Sequence, residues 1–314
     1  MGNRWFHIAV GVCWLISMSW LVVVKVLPPL IGGDPPDYRA VLPQKAGETS
    51  VATWDIYWND SDIGWATHEA KRSESGKTRV ESIVHFEQLP IDRIATEFSG
   101  SMMLLFQRLL SGRLNQRVDM EVASEIEFDA KGRMQQFRSK VHLGSLRDFI
   151  WLDGVIDDGA LELTASTPSQ FYGTDDAKRE IYRRRVELPE NALATDAFSP
   201  HPRLPNLRLG QTWTFCTYRP LSPHAPNAII EAKVERAEPF LWCGKTVPTF
   251  VVVYREDAGA AVSVSREPIG RLWVAEDGEV LKQELHYASL KFTFVRRPDD
   301  APNPTSPQEL DGVE

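Results

Sequence analysis

The side chains with the most chemical potential in this 314-residue sequence are three cysteines and seven histidines. Cys216 lies in the run Trp213-Thr214-Phe215-Cys216, with His201 and His224 in nearby loops. A cysteine nucleophile needs a base and an electropositive setting. Cys216 with His201 or His224 would meet the minimum for a cysteine-dependent enzyme. The competing use is structural. Cys216 and Cys243 close a 27-residue interval between predicted strands, and a disulfide there would contribute about 3 kcal/mol in an oxidising compartment. Two buried thiols are the remaining option.

Three histidines, His68, His85 and His142, fall on predicted strands and raise the question of a metal. Zinc needs three or four ligands at about 2 Å with supporting partners. Nothing in this spacing enforces that, and isolated histidines on a solvated sheet face explain the same residues. No metal and no cofactor is therefore assigned. Arg183-Arg184-Arg185 has the charge to grip a phosphate or an anionic lipid head group, but Glu180 and Glu187 flank it as on a solvated strand. The row Asp119, Glu121, Glu125 and Glu127 lacks the asymmetry that paired-carboxylate catalysis needs, in which one pKa is raised across a cleft. The sequence contains no G-x-S-x-G, Walker loop, H-E-x-x-H or C-x-x-C. No catalytic residue is assigned, and the chain is not expected to be an enzyme.

The composition sets the wider frame. There are 35 Lys+Arg against 43 Asp+Glu, a net charge of −8, which argues against nucleic acid as a partner. From Trp5 to Val24 the sequence carries no Asp, Glu, Lys or Arg. A helix of that length spans about 30 Å, the hydrocarbon thickness of a bilayer. Trp5 and Trp20 lie near its ends, where their rings favour the interface, and Arg4 and Lys25 bracket it. The following Lys25-Val26-Leu27-Pro28-Pro29 is poor cleavage chemistry for a secretory signal. Cys13 follows Val12 and lies too early for a lipoprotein site. The expectation is an uncleaved signal anchor in a bacterial inner membrane, single-pass, with the body on the periplasmic side.

Residues 26–50 read as a Pro-rich tether and residues 298–314 as a disordered acidic tail. Between them the dominant period is two. Residues 51–165 form a first β-rich unit, 166–208 a connector and 209–297 a second β-rich unit. Trp54, Ile56 and Trp58 share one face, as do Val118, Met120, Val122, Ile126 and Phe128. That is the pattern of half-buried antiparallel strands, and these eight residues are the candidate apolar face. Asp129-Ala130-Lys131-Gly132, Asp153-Gly154 and Asp158-Gly159 read as turns. Residues 93–111 break the period and predict the one main helix. Seven tryptophans outside the anchor either fill the core or line a groove for an acyl chain or peptide.

Trp54-Asp55-Ile56-Tyr57-Trp58, followed by a polar turn and Ile63-Gly64-Trp65-Ala66, resembles the opening hairpin of a group of uncharacterised bacterial envelope β-domains. Leu272-Trp273-Val274-Ala275-Glu276-Asp277-Gly278-Glu279-Val280-Leu281-Lys282 is similar to their closing hairpin. These domains are akin to the lipoprotein-carrier (LolA/LolB-like) half-barrels, and similar strand pairs occur beside transglutaminase-like domains. The resemblance implies a curved sheet with a hydrophobic concave face and transfers no catalytic residue. The expected fold is α+β, mostly antiparallel β, with one or two curved sheets or half-barrels, one main helix and an N-terminal transmembrane helix. The expected role is that of a membrane-anchored, non-catalytic envelope protein binding a lipid or acyl chain. The alternatives are an interaction module of an envelope complex, or an enzyme working through Cys216.

Overall fold

The computed structural model describes residues 2–22, 36, 42–90, 117–168, 178–187, 199–218, 227–256, 267–287 and 290–301. The predicted helix 93–111, Lys25, and all of the acidic tail beyond Ala301 lie outside them. The chain opens with helix α1 (Gly2–Leu21). Its described side chains from Val10 to Val22 are all exposed. Among the described residues no helix is long and apolar enough to cross a membrane. The apolar run expected to span continues to Val24, past the end of α1.

Every other regular element among the described residues is a strand. The elements are β1 (Thr49–Trp58), β2 (Ser61–Arg72), β3 (Thr78–Pro90), β4 (Arg117–Phe128), β5 (Met134–Leu143), β6 (Leu146–Asp157), β7 (Ala160–Pro168) and β8 (Lys178–Glu187). They continue with β9 (Thr212–Tyr218), β10 (Asn227–Trp242), β11 (Lys245–Glu256), β12 (Gly270–Ala275), β13 (Val280–Tyr287) and β14 (Leu290–Arg296). All fourteen belong to one sheet, in the order β8-β7-β6-β5-β4-β3-β2-β1-β14-β13-β12-β11-β10-β9. Strands consecutive in sequence pair throughout except β8 and β9, which form the two edges, and the first strand pairs with the last, Trp54 opposite Arg296 and Trp58 opposite Phe292. That pairing joins two meanders into one curved, unclosed sheet.

Tight turns make the meanders possible. Asn59-Asp60, Asp158-Gly159 and Cys243-Gly244 all have positive φ at both positions, the geometry whose twist matches flanking strands in two-residue hairpins. The dipeptide Asp153-Gly154, read from sequence as a turn, is instead the middle of β6. Gly154 is buried there, and a Cβ would meet Leu161 Cδ1 at 2.9 Å. The glycine leaves room for a leucine from the adjacent strand.

The sheet has two unlike sides. On β4 every second residue from Met120 to Phe128 is buried. Trp54, Ile56, Val84, Phe86, Val122, Phe137, Leu161, Leu163, Phe292 and Phe294 join one cluster on the inner side. A second inner cluster holds Trp213, Ala232, Val234, Val252, Leu272, Val274 and Val280. Curvature lets one apolar side cover itself, and its burial is the main stabilising term. The outer side is more polar but carries apolar patches, among them Val251, Val253 and Trp273 packed with Phe240.

A candidate binding recess on the inner face

A row of polar residues interrupts the inner apolar surface. The registers set Ala52 opposite His68, His68 opposite Ser82, Ser82 opposite Ser124 and Ser124 opposite Ser139. Ser124 Oγ donates to Ser139 Oγ at 2.9 Å in a buried setting. Period two puts these residues on the same side as the hydrophobic cluster, so each must find a partner inside the protein.

Some of those partners come from a strap, residues 199–211, that lies over the inner face between the two apolar clusters. Ser199 Oγ is 2.5 Å from Ser82 Oγ. The His201 amide donates to Gln283 Oε1 at 3.0 Å. The Pro202 carbonyl accepts from Arg296 Nη1 at 3.2 Å and from the Val280 amide. Leu204 N donates to Gly278 O at 2.6 Å, and Leu204 and Leu207 pack on the second cluster. The prolines suit this path, because a backbone that crosses a sheet rather than joining it has few ladder bonds to offer.

Beside the strap, His201 meets Tyr254, and His68 lies near enough to His201 for the two imidazoles to interact electrostatically. The His201 and Tyr254 rings are 6.1 Å apart, edge to face, and Phe215 packs edge-on against Tyr254 at 5.5 Å. Burial, then His201 and the Arg296 guanidinium, push the His68 pKa down to about 4. Burial lowers that of His201 and raises that of the Tyr254 hydroxyl. All three are uncharged at neutral pH. All three nevertheless keep part of their surface accessible.

Arg296 forms the charged wall. Its side chain is 5% exposed, and Nη2 reaches Glu279 Oε1 at 3.5 Å and Asp299 Oδ1 at 3.3 Å. Its Nε, and Nε1 of the neighbouring Trp54, are buried without a hydrogen-bond partner among the described residues. This inward polar cluster therefore holds neutral imidazoles, an un-ionised phenol and a guanidinium matched by carboxylates.

No family model matches the chain, and no curated protein matches it. Solved structures do. A β-barrel-like protein of the domain of unknown function DUF1849 from Brucella abortus aligns at TM-score 0.44 and 9% identity, covering 81% of this chain and 97% of that one. The hypothetical lipoprotein YmcC from Escherichia coli aligns at TM-score 0.26 and 12% identity, over 85% and 89%. An exported protein with a YmcC-like fold from Bacteroides fragilis aligns at TM-score 0.25 and 11% identity, over 81% and 96%. None of the three is described as a lipoprotein carrier.

The other residues singled out from sequence are scattered. The Cys216–Cys243 bridge, one of the options the sequence left open, is not made: Cys243 is a free, exposed thiol. Cys216 stands opposite Ile229 near the start of β10, whereas Cys243 occupies the turn at its far end. More than a dozen extended residues at about 3.3 Å each separate the two positions, and a disulfide needs Cα atoms within about 7 Å. His68 faces inward while His85 and His142 face outward, because they stand an odd number of register steps apart. His85 stacks on Trp65 at 5.5 Å and lies 3.4 Å from Glu121. His142 Nδ1 accepts from the Asp148 amide at 2.8 Å. Among the described residues no group of three His, Cys, Asp or Glu is placed to hold a metal.

The acidic row is matched locally. Arg79 reaches Glu125 at 3.2 Å and Glu127 at 3.1 Å, and Asp119 accepts from the Gln88 amide at 2.9 Å. On β8, Arg183 bonds Glu180 at 2.8 Å and Arg185 bonds Glu162 at 3.0 Å. Of the eight apolar-face residues, Trp54, Ile56, Met120, Val122, Ile126 and Phe128 are buried in the first cluster, and Trp58 and Val118 pack on its edge. Sequence reading missed Tyr254, Gln283 and Arg296. The only available signal was that each breaks the apolar alternation of its strand on the inward side.

Proposed function

We propose that this chain is a non-catalytic bacterial envelope protein, held at a membrane by its N-terminal helix, whose curved sheet binds an apolar ligand. The observation that carries the reading is α1. Trp14, Leu15, Ile16 and Trp20 are 59%, 59%, 64% and 72% exposed, and they point to different sides of the helix. A helix apolar all round has no stable place in water. Lipid is the solvent that removes the cost, and Val22 to Val24 extend the apolar run to bilayer length. The expected orientation puts the sheet on the periplasmic face of the inner membrane.

The ligand part of the reading rests on the two apolar clusters of the inner face, with the polar group of His68, His201 and Tyr254 between them. The test is membrane extraction. The full chain should stay in the membrane fraction through an alkaline carbonate wash and leave it with detergent. A chain starting at residue 42 should be recovered without detergent. Recovery of the full chain in the carbonate supernatant would contradict the anchor.

One observation favours a second reading, an interaction module. Among the described residues the sheet is unclosed, and β8 and β9 each have a single neighbour. Open edges can accept a partner strand. Cross-linking from a probe on β9 to one specific envelope protein, with no ligand retained by the purified chain, would favour this reading.

A further inference from the structure

We infer that the paired ends of β10 and β11 form an arm that rests Leu241 among the lipid head groups of the membrane holding α1. This rests on the reading that α1 is embedded in a membrane, and adds a second, shallower contact that sets which end of the sheet faces the bilayer.

The arm follows from the registers. β10 and β11 pair from Ile230 opposite Glu256 out to Trp242 opposite Lys245. β9 pairs no further than Lys233, and β12 begins only at Thr249. The last rungs of the hairpin therefore stand beyond both neighbouring strands. One side of the arm is fixed to the body. Trp273 Nε1 donates to Glu238 Oε1 at 2.6 Å, the Phe240 and Trp273 rings lie 6.4 Å apart, and Trp242 Nε1 donates to the Arg296 carbonyl at 2.7 Å. The other side carries Ala237, Pro239, Leu241, Thr246 and Pro248, all exposed, and Leu241 is 70% exposed.

Position, charge and backbone chemistry together select a bilayer surface for that side. Trp242 ends beside Arg296, and the Arg297 amide donates to the Thr53 carbonyl of β1. The rim that carries the arm is thus the rim from which the chain leads back to α1. Twenty residues separate Leu21 from Leu42, a reach of at most about 70 Å. From Pro239 to Tyr254 the only charged residue is Lys245, at the tip. An anionic surface repels most of this acidic chain, but it suits an exposed leucine and a tryptophan beside one lysine. Pro239 stands opposite Pro248. Neither can donate across the pair, so the pair is of the non-hydrogen-bonded kind, and the missing N–H groups are those that would point to the free edges. Such edges are poorly suited to a partner strand, which disfavours strand addition as what covers the arm. Contact at head-group depth leaves the neighbouring Cys243 thiol within reach of water, unlike Cys13 on α1.

The test uses the full-length chain in vesicles of phosphatidylethanolamine and phosphatidylglycerol, doped with a lipid that carries a nitroxide on its head group. A nitrobenzoxadiazole dye is attached to Cys243 in a Cys13→Ser, Cys216→Ser chain, or to Ser145→Cys in a chain with all three natural cysteines replaced by serine. Ser145 follows β5 at the opposite rim, where the registers run from Leu143 through Met120, Phe86 and Gly64 to Ile56. The nitroxide should quench the Cys243 dye about threefold more than the Ser145 dye, and Leu241→Glu should bring the Cys243 dye down to the Ser145 level. Circular dichroism checks that the variant folds, and a parallel carbonate wash checks the anchor.

Equal quenching at the two rims, in a chain that resists the wash, would overturn the inference and leave the anchor standing. So would a folded Leu241→Glu variant quenched like the parent. Loss of the chain to the carbonate supernatant would overturn both.

Discussion

Trp54 and Arg296 stand directly opposite one another across the pair that joins the first strand to the last, and each keeps a buried N–H without a partner among the described residues. Antiparallel neighbours on one face hold their Cβ atoms about 5 Å apart. The closure of the chain thus runs through a large ring and a guanidinium, not through two aliphatic side chains. The carboxylates of Glu279 and Asp299 and the Pro202 carbonyl make the buried charge tolerable.

Replacing Trp54 separates the roles of its ring and its N–H. Trp54→Phe removes an unsatisfied donor along with some volume, so the two effects oppose and stability should change by less than about 1 kcal/mol. Trp54→Ala empties a fully buried site and should cost about 3–5 kcal/mol. Urea denaturation of both variants measures the difference. Equal losses would show that the indole N–H is satisfied.

Gly64 should tolerate no side chain. Its φ is 146°, and a Cβ would lie 1.9 Å from the His85 carbonyl oxygen. The glycine sits at a register shift between β1 and β2, where the strand must bend. Gly64→Ala should destabilise the protein by about 3 kcal/mol or more, read as a fall in thermal midpoint. An unchanged midpoint would mean that this bend is not present in solution.

Stability should fall with mild acid. The His68 pKa is about 4 in the folded chain, below the ordinary value near 6.5. The folded state therefore resists a proton that the unfolded state accepts. The stabilisation is complete above about pH 6.5 and is lost as pH falls toward 4. His201, lowered by burial, acts in the same direction. Between pH 7.5 and 5.0 the His68 contribution alone should be roughly 2 kcal/mol. Denaturation at the two pH values checks this, and His68→Phe should shrink the pH dependence. An identical pH dependence in the variant would place the proton uptake elsewhere.

Much of the strand pattern was legible because period two is local. On β4, Met120, Val122, Ile126 and Phe128 alternate with Glu121, Glu125 and Glu127, and the sequence alone implies one wet and one dry side. What long-range register decides was not legible. Asp153-Gly154 and Asp158-Gly159 are the same dipeptide, yet one is a strand interior and the other a turn. Leu161 across the ladder makes the difference. Cys216 and Cys243 looked bridgeable along the sequence, but the length of β10 separates them. His201 read as part of a Pro-rich connector, and only the fold over the sheet brings it to Tyr254. The inward polar cluster is assembled from β2, β11, β14 and the strap, which no local pattern links.

The thiols give the most direct test of the anchor. Cys13 lies on α1 and Cys243 at a hairpin tip, and both are exposed in the folded chain. Spheroplasts carrying the full-length protein would be treated with a membrane-impermeant maleimide and the modified peptides mapped by mass spectrometry. With α1 in lipid and the sheet outside, Cys243 should be modified and Cys13 protected until detergent is added. Modification of Cys13 as readily as Cys243, without detergent, would contradict a membrane-embedded helix.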